Sequence, residues 1–156
     1  MIARSLTLLL ALTLAHAAGA ALQPFDTDAF DEIRTRYANE TVLVLIWSLD
    51  CHHCKDGMAK AAGLLDERPG LNLVLVNVDP ADEAAAVAST LQKLGLSEAD
   101  NWQFVDAPAA RLRATIDPQW FGELPRSYLI DAEGNSAGFS GRISQDALDH
   151  WRQRSR

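Results

Sequence analysis

A run of seven β-branched and apolar residues, followed almost at once by two cysteines, constrains the fold of this chain more than any other feature. Residues 41–47 read Thr-Val-Leu-Val-Leu-Ile-Trp without polar alternation, a pattern typical of a strand buried on both faces. Beyond them, buried-type residues recur at intervals of four, three and four, at Cys54, Met58, Ala61 and Leu65. This spacing predicts a helix with one apolar stripe. Cys51 and Cys54 therefore lie where a central strand passes into a helix.

The rest of the chain alternates between helix-like and strand-like patterns, which predicts an α/β domain. Strands are expected over 71–78, 102–105, 127–131 and 135–139, the last two joined as a hairpin by a turn with Asp first and Gly fourth. A helix is expected over 25–37. Asp79 and Pro80 predict the cap and first turn of another helix, which Gly95 ends. Further helices are predicted around Leu112 and from Ser144 onward.

The first 20 residues have the pattern of a secretory signal peptide. Arg4 precedes an apolar run at 6–15, and the small residues at 18–20 resemble a cleavage site. The run is well short of the roughly 20 residues needed to cross a bilayer, so an uncleaved membrane anchor is the less favoured alternative. We expect a domain over 21–156 that is soluble in an exported, oxidising space such as the periplasm.

Charge and cysteine content exclude several classes of protein. The chain has 14 basic and 21 acidic residues, a net charge of −7 and a pI near 4.9, so it lacks the positive patch of a nucleic-acid-binding protein. Two cysteines are too few for a small disulfide-stapled scaffold. We therefore expect a protein held together by a hydrophobic core, without nucleic acid as a partner.

The motif Cys51-His52-His53-Cys54 carries the strongest chemical signal. A sulfur at the start of a helix meets unpaired amides and the positive end of the helix dipole, which favours the thiolate. Both histidines could add hydrogen bonds or positive charge to that thiolate. Stabilising the thiolate favours the reduced form and makes the disulfide easier to reduce. The dithiol itself could carry two electrons, so no organic cofactor is implied.

Two other interpretations of the motif remain open. The cysteines could form an inert local disulfide. Alternatively, two thiolates and two imidazoles are ligands suited to zinc or copper, and soft sulfur suits Cu(I). Since adjacent side chains such as His52 and His53 point in different directions, one chain easily supplies only two or three of these ligands. That interpretation describes an exported copper- or zinc-binding protein.

Residues 26–154 resemble the thioredoxin-like fold, and in particular its exported thiol-disulfide oxidoreductases of the cytochrome-c-maturation, or TlpA/ResA-like, branch. The features that carry the resemblance are the strand ending in Trp47, the two cysteines, and a downstream stretch at 122–134 that reads Gly-Glu-Leu-Pro-Arg-Ser-Tyr-Leu-Ile-Asp-Ala-Glu-Gly. The resemblance implies a mixed sheet flanked by helices, with Pro125 in a cis peptide bond beside the sulfurs. The carbonyl of Leu124 would then be free to pair with an extended partner segment.

The resemblance also implies an activity and roles for the two cysteines. The chain would be a monomer that exchanges electrons with protein thiols or disulfides and with a membrane redox partner. Cys51 would be the attacking thiolate and Cys54 the resolving thiol. His53 and His52 would tune the thiolate, and Pro125 would shape the substrate groove.

Several positions depart from the family pattern. Asp50 replaces the aromatic residue that often precedes the first cysteine, and its charge would oppose thiolate formation. Buried acids of relatives would fall at Leu45 or Gly57, and neither position is acidic here. Asp56 is a possible substitute that could face solvent, so Cys54 lacks an assured base.

Aromatic residues near the motif have two possible roles each. Trp47 is expected to pack in the core and to shield the disulfide. Trp47, Leu124 and Trp120 are also the candidate substrate-contacting residues. Trp120 and Phe121 precede Pro125 and could form part of an apolar docking surface for a partner protein, or could instead cover the core beneath a loop. His150, in the expected last helix, is predicted to lie at the surface.

Overall fold

The computed structural model describes residues 21–142, in which six strands form one mixed sheet. The strands are β1 Leu22–Phe25, β2 Thr41–Trp47, β3 Leu71–Asn77, β4 Asp100–Phe104, β5 Arg126–Ile130 and β6 Ser136–Ser140. The helices are α1 Ala29–Arg36, α2 His52–Glu67, α3 Ala84–Lys93 and α4 Ala109–Ile116, with a 3-10 turn over Ala81–Glu83 before α3. The predicted thioredoxin-like architecture is confirmed.

The order of the strands in the sheet is β1-β4-β3-β2-β5-β6. The pairs β1–β4, β4–β3 and β3–β2 are parallel, whereas β5 runs antiparallel to both β2 and β6. Strand β2 therefore lies in the middle of the sheet, as its unbroken apolar sequence predicts. The carboxyl end of β2 delivers the two cysteines to one edge of the domain.

The core is divided between the two faces of the sheet. One face carries the α2-side cluster, which we define by its buried residues Leu43, Leu45, Trp47, Cys54, Met58, Ala61, Leu64, Leu73, Leu75, Val87, Leu91, Leu96 and Leu129. The opposite face packs against α1 and α4 through a second cluster that includes Phe30, Ile33 and Leu112. Alternate residues of β2 thus serve different layers, and Cys54 belongs to the α2-side cluster.

Three details differ from the sequence-based expectations. Residues 22–25 form strand β1, which was not predicted, and α1 begins at Ala29 rather than at residue 25. Asp79 makes no capping hydrogen bond to the helix that follows it, because its carboxylate is bonded to the loop before Cys51.

Some expectations concern parts of the chain outside the described residues. These are the signal peptide at 1–20, the helix from Ser144 and the position of His150. Between residues 21 and 142, none of the helices combines the length and the apolar character that a membrane span requires.

Candidate active site at the two cysteines

Cys51 and Cys54 are joined by a disulfide, with their Cα atoms 5.3 Å apart. Cys51 is the N-cap residue of α2 and has an extended backbone. Its own side chain makes no capping hydrogen bond, and the first turn of the helix contains no acidic residue. The first amides of α2 and the positive end of its dipole are therefore available to a negative charge at Cys51.

The two sulfurs differ in their exposure to solvent. Cys51 is partly exposed, whereas Cys54 is 0% exposed and belongs with Trp47 and Met58 to the α2-side cluster. A partner molecule can therefore reach Cys51 from outside but cannot reach Cys54. The burial of Cys54 also removes it from water, which disfavours a free thiolate at that position.

The loop between β2 and α2 is tied to the end of β3. The carboxylate of Asp79 accepts hydrogen bonds from the Leu49 backbone N–H and from Asn77 Nδ2, both at 2.7 Å. Asn77 is 0% exposed and accepts the Asp79 backbone N–H through Oδ1. This arrangement holds the backbone two residues before Cys51 in a defined position.

The Leu124–Pro125 peptide bond is cis, as the resemblance implies. Pro125 is buried, and its carbonyl accepts the backbone N–H of Gly141 at 2.8 Å. Leu124 packs against the α2-side cluster, as Cys51 does. No group within residues 21–142 donates a hydrogen bond to the Leu124 carbonyl, so this acceptor is available to an external strand.

A polar network holds the strand that follows Pro125. The guanidinium of Arg126 donates hydrogen bonds to Asp117 Oδ2 at 2.8 Å, Tyr128 Oη at 3.0 Å and Ser140 Oγ at 2.7 Å. The Ser140 hydroxyl in turn donates to Glu123. The hydrogen bond from the Gln119 amide is the main cause of the lowered pKa of Asp117. The start of β5 is therefore fixed from the side opposite α2.

The two histidines of the motif lie at the start of α2 and are exposed. His53 Nδ1 is 3.0 Å from an Nη atom of Arg142. Because arginine only donates, Nδ1 must accept, and the imidazole in this contact is neutral with its proton on Nε2. Neither His52 nor His53 makes a hydrogen bond to a sulfur within the described part of the chain. The role of the histidines in tuning the thiolate concerns the reduced form and stays a prediction.

The tryptophans near the site are buried. Trp47 is 0% exposed and belongs to the same buried cluster as Cys54, so it has no surface to offer a substrate. Trp120 is 4% exposed and donates its indole N–H to the Glu123 carbonyl, which places it in the core rather than on a docking surface. Phe121, by contrast, is 88% exposed. In this form Trp47 and Trp120 expose almost no surface to a substrate, whereas Phe121 is the large apolar residue of the described chain that a partner can touch. Substrate contact by the two tryptophans stays an untested prediction.

The two positions at which relatives carry a buried acid are also buried here, but neither residue is acidic. Leu45 is 0% exposed, and Gly57 is buried one helical turn after Cys54. Asp50 and Asp56 are both exposed, so water screens their charges from the sulfurs. Cys54 therefore has no buried carboxylate supplied from these positions.

Sequence reasoning did not identify the residues that hold the site in place. Asp79 was assigned to a helix cap, and neither Arg126 nor Arg142 was assigned a role. The Asp79 contact spans 30 residues and the Arg142 contact spans 89, so local patterns give almost no sign of these contacts. The buried Asn77 two residues before Asp79 is the one local signal, because a buried amide requires polar partners.

No cluster of three or more His, Cys, Asp or Glu side chains in residues 21–142 is arranged to hold a metal ion. Both cysteines are in the disulfide, so neither sulfur is a metal ligand in this form. Two neighbouring imidazoles remain, with ring centroids 6.5 Å apart.

Comparison with solved structures supports the fold assignment. A secreted Mycobacterium tuberculosis disulfide oxidoreductase homologous to E. coli DsbE is similar, with 19% identity, a TM-score of 0.56 and coverage of 74% of this chain and 82% of that one. The thioredoxin domain of a thiol-disulfide oxidoreductase from Bacteroides vulgatus gives 16% identity, a TM-score of 0.58 and coverage of 78% and 84%. StoA from Bacillus subtilis gives 16% identity, a TM-score of 0.52 and coverage of 74% and 84%.

Comparisons of the sequence itself identify no relative. No protein-family model matches the chain, and no curated protein matches it. At the identities of the structural matches, the likeness establishes the thioredoxin-like fold and leaves the activity to be argued from the site.

Proposed function

We propose that this chain, with its thioredoxin-like fold, is an exported thiol-disulfide oxidoreductase that exchanges electrons with protein thiols and disulfides. The observation that carries the proposal is the asymmetry of the cysteine pair. Cys51 is partly exposed at the uncapped start of α2, whereas Cys54 is buried directly behind it. The Cys51 sulfur can thus contact a partner protein, while the Cys54 sulfur lies inside the domain.

The exchange proceeds through a mixed disulfide. In the reducing direction, the Cys51 thiolate attacks one sulfur of a partner disulfide, forming a Cys51–partner bond and releasing one partner thiolate. The Cys54 sulfur then attacks Cys51, forming the intramolecular disulfide and releasing the second partner sulfur, which takes the proton of Cys54. The partner disulfide gains two electrons, the dithiol loses two, and the reverse sequence oxidises a partner dithiol.

Three surrounding features support this role. The carbonyl of Leu124 lies next to the cis Pro125 and accepts no hydrogen bond from residues 21–142, which suits an extended partner segment. Phe121 offers an exposed aromatic contact in the same loop. The exposed His52 and His53 lie at the start of α2, where a change in their charge acts on the thiolate.

Export is part of the proposal and is supported by the signal-like first 20 residues. An oxidising compartment allows a dithiol protein to cycle between its two forms against dedicated partners. One of the structural matches is described as secreted. A membrane redox partner that resets the dithiol completes the proposed cycle.

An insulin-reduction assay with dithiothreitol tests the activity. The chain should accelerate insulin precipitation, and Cys51→Ser should abolish the acceleration. In parallel, the reduced chain is titrated with Cu(I) and Zn(II). Rapid insulin reduction supports the oxidoreductase. Tight stoichiometric metal uptake without turnover would instead support a metal-binding protein and contradict the proposal.

The direction of electron flow follows from the equilibrium with glutathione. A reduction potential near −120 mV is typical of an oxidant and one near −270 mV of a reductant. Changing His53 to Pro removes an imidazole from the start of α2 and is expected to lower the potential. An unchanged potential would show that His53 does not tune the Cys51 thiolate.

A further inference from the structure

Ser127 carries a buried hydroxyl without a hydrogen-bond partner in the described part of the chain. The residue is 1% exposed and lies in β5, two positions after the cis Pro125. Most buried side-chain hydroxyls are hydrogen-bonded, and one that is not costs free energy because it has been removed from water without compensation. The unpaired Ser127 hydroxyl is explained if it gains a hydrogen-bond partner in another state of the protein.

The register of the sheet places this hydroxyl on the face that contains Cys54. Ser127 lies directly opposite Leu45, and Leu129 lies opposite Leu43. Residues that face one another across two strands point to the same side of a sheet, and Leu43, Leu45 and Leu129 all belong to the α2-side cluster with Cys54. The Ser127 side chain therefore points toward α2.

Other buried polar groups on this part of the sheet are already engaged or distant. Asn77 uses both of its side-chain polar atoms in bonds with Asp79. The unpaired Oδ1 of Asn101 lies on β4, which β3 separates from β2. Among the buried side chains of residues 21–142, Ser127 is thus the polar one with free capacity on the strand next to β2.

The α2 position one turn after Cys54 is not tightly packed. Gly57 is buried there, yet a methyl group added to it would lie more than 4 Å from every atom other than the adjacent backbone of α2 and its chain neighbours. Release of the Cys54 sulfur from the disulfide frees its side chain to rotate. Leu45 and Gly57 have no polar side-chain group that could bond to that sulfur. The hydroxyl of Ser127, which lies opposite Leu45, can do so.

We propose that Ser127 donates a hydrogen bond to the Cys54 sulfur when the disulfide between Cys51 and Cys54 opens. This inference rests on the proposed function and adds a residue to its site. In the mixed disulfide, the hydroxyl stabilises the negative charge that develops on Cys54 as its thiol loses a proton and its sulfur attacks Cys51. The departing partner sulfur takes up that proton. In the closed disulfide, the same hydroxyl loses its partner. Ser127 therefore favours the open forms over the closed form.

The test compares Ser127→Ala with the unmodified chain in its equilibrium with glutathione. Removal of the hydroxyl deprives the dithiol form of a hydrogen bond and relieves the disulfide form of an unpaired group. We expect the equilibrium to shift toward the protein disulfide by about threefold to tenfold, and tenfold is equivalent to about 30 mV. Ser127→Thr retains a hydroxyl and is expected to stay within about twofold of the unmodified chain.

Thermal unfolding of both redox forms separates this role from a structural one. Ser127→Ala should leave the Tm of the disulfide form unchanged or raise it, and should lower the Tm of the dithiol form. Ser136→Ala, which changes an exposed serine of β6, should affect neither form. A serine bonded to a fixed buried water would shift both forms equally.

Two outcomes overturn the inference. One is an unchanged glutathione equilibrium in Ser127→Ala, and the other is an equal fall in Tm of the two redox forms. Either result would leave the proposed function intact if the unmodified chain still reduces insulin. Failure of the unmodified chain in that assay would instead overturn the proposed function and, with it, the role of Ser127.

Discussion

The backbone N–H of Leu49 donates a hydrogen bond to the carboxylate of Asp79 over 2.7 Å, which joins the loop before Cys51 to the end of the neighbouring strand. The same carboxylate oxygen accepts from the buried amide of Asn77. Because β2 and β3 are parallel, their carboxyl ends lie side by side, and one acidic residue can fix both. The position of Cys51 therefore depends on a residue 28 positions further along the chain.

Asp79→Ala is expected to destabilise the protein, because it leaves the Leu49 amide and the buried Asn77 amide without acceptors. A loss of about 2–4 kcal/mol in the free energy of unfolding is expected for two donors left unpaired, measured by urea denaturation. Asp79→Asn retains an acceptor oxygen and should lose less. Asp82→Ala, at an exposed position, serves as the control and should change stability by less than about 0.5 kcal/mol. Equal effects at 79 and 82 would contradict this role.

The contact between Arg142 and His53 predicts the tautomer of one histidine. At a pH where the ring is neutral, nitrogen NMR should show the His53 proton on Nε2, since Nδ1 accepts from the guanidinium. Arg142→Ala should shift the Nδ1 resonance of His53 and leave His52 unchanged. A His53 proton on Nδ1, or a resonance that ignores the substitution, would show that the contact does not form in solution.

Two glycine-to-alanine substitutions should change stability in opposite directions. Gly63 lies in the interior of α2 with open space around it, so Gly63→Ala should stabilise the protein by about 0.5–1 kcal/mol. Gly134 has a φ of +82° in the turn before β6, so Gly134→Ala should destabilise it by about 1–2 kcal/mol. Urea denaturation of the disulfide form measures both. The same sign for both substitutions would contradict the backbone assignment.

The two tyrosines of the chain predict an unusual alkaline titration. Burial raises the pKa of Tyr37 and of Tyr128 to about 12, from an ordinary value of 10.0. Absorbance at 295 nm should therefore show little tyrosinate at about pH 11 in the folded protein, while the chain in concentrated urea titrates near pH 10.

The free energy of unfolding should depend on pH through the same two tyrosines. A raised pKa in the folded state means that folding favours the neutral phenol, so this contribution to the free energy of unfolding is complete below pH 10 and is lost as the pH rises through about 12. Tyr37→Phe should reduce the dependence. If half of the absorbance change had a midpoint near 10, one of the rings would be shown to have an ordinary environment.

The sequence predicted the parts of the fold that depend on strong local patterns. The apolar run of β2 and the regular stripe of α2 each bury a face against the same layer, so their positions agree with the structure. Strand β1 was not predicted, because its four residues include a proline and show no alternating pattern. It forms only because β4 offers an edge on which Leu22 pairs with Asn101.

The candidate site was predictable in its cysteines and less so in their surroundings. The cis peptide at Pro125 was expected from the family resemblance, since no pattern of residue types determines the isomer. The partners of Cys51 and His53 depend on Asp79 and Arg142, which meet them only after the sheet has formed. Ser127 gave no signal in the sequence, because the absence of a hydrogen-bond partner becomes visible only in the folded chain.

Trapping of the mixed disulfide shows directly which cysteine attacks a partner disulfide. Reduced Cys54→Ser is mixed with insulin, the reaction is quenched with acid, and the peptides are mapped by mass spectrometry without reductant. Cys51→Ser is the matched control. We expect a partner peptide bonded to Cys51 in the first variant and no adduct in the second. An adduct at Cys54 in the control, or none at Cys51, would contradict it.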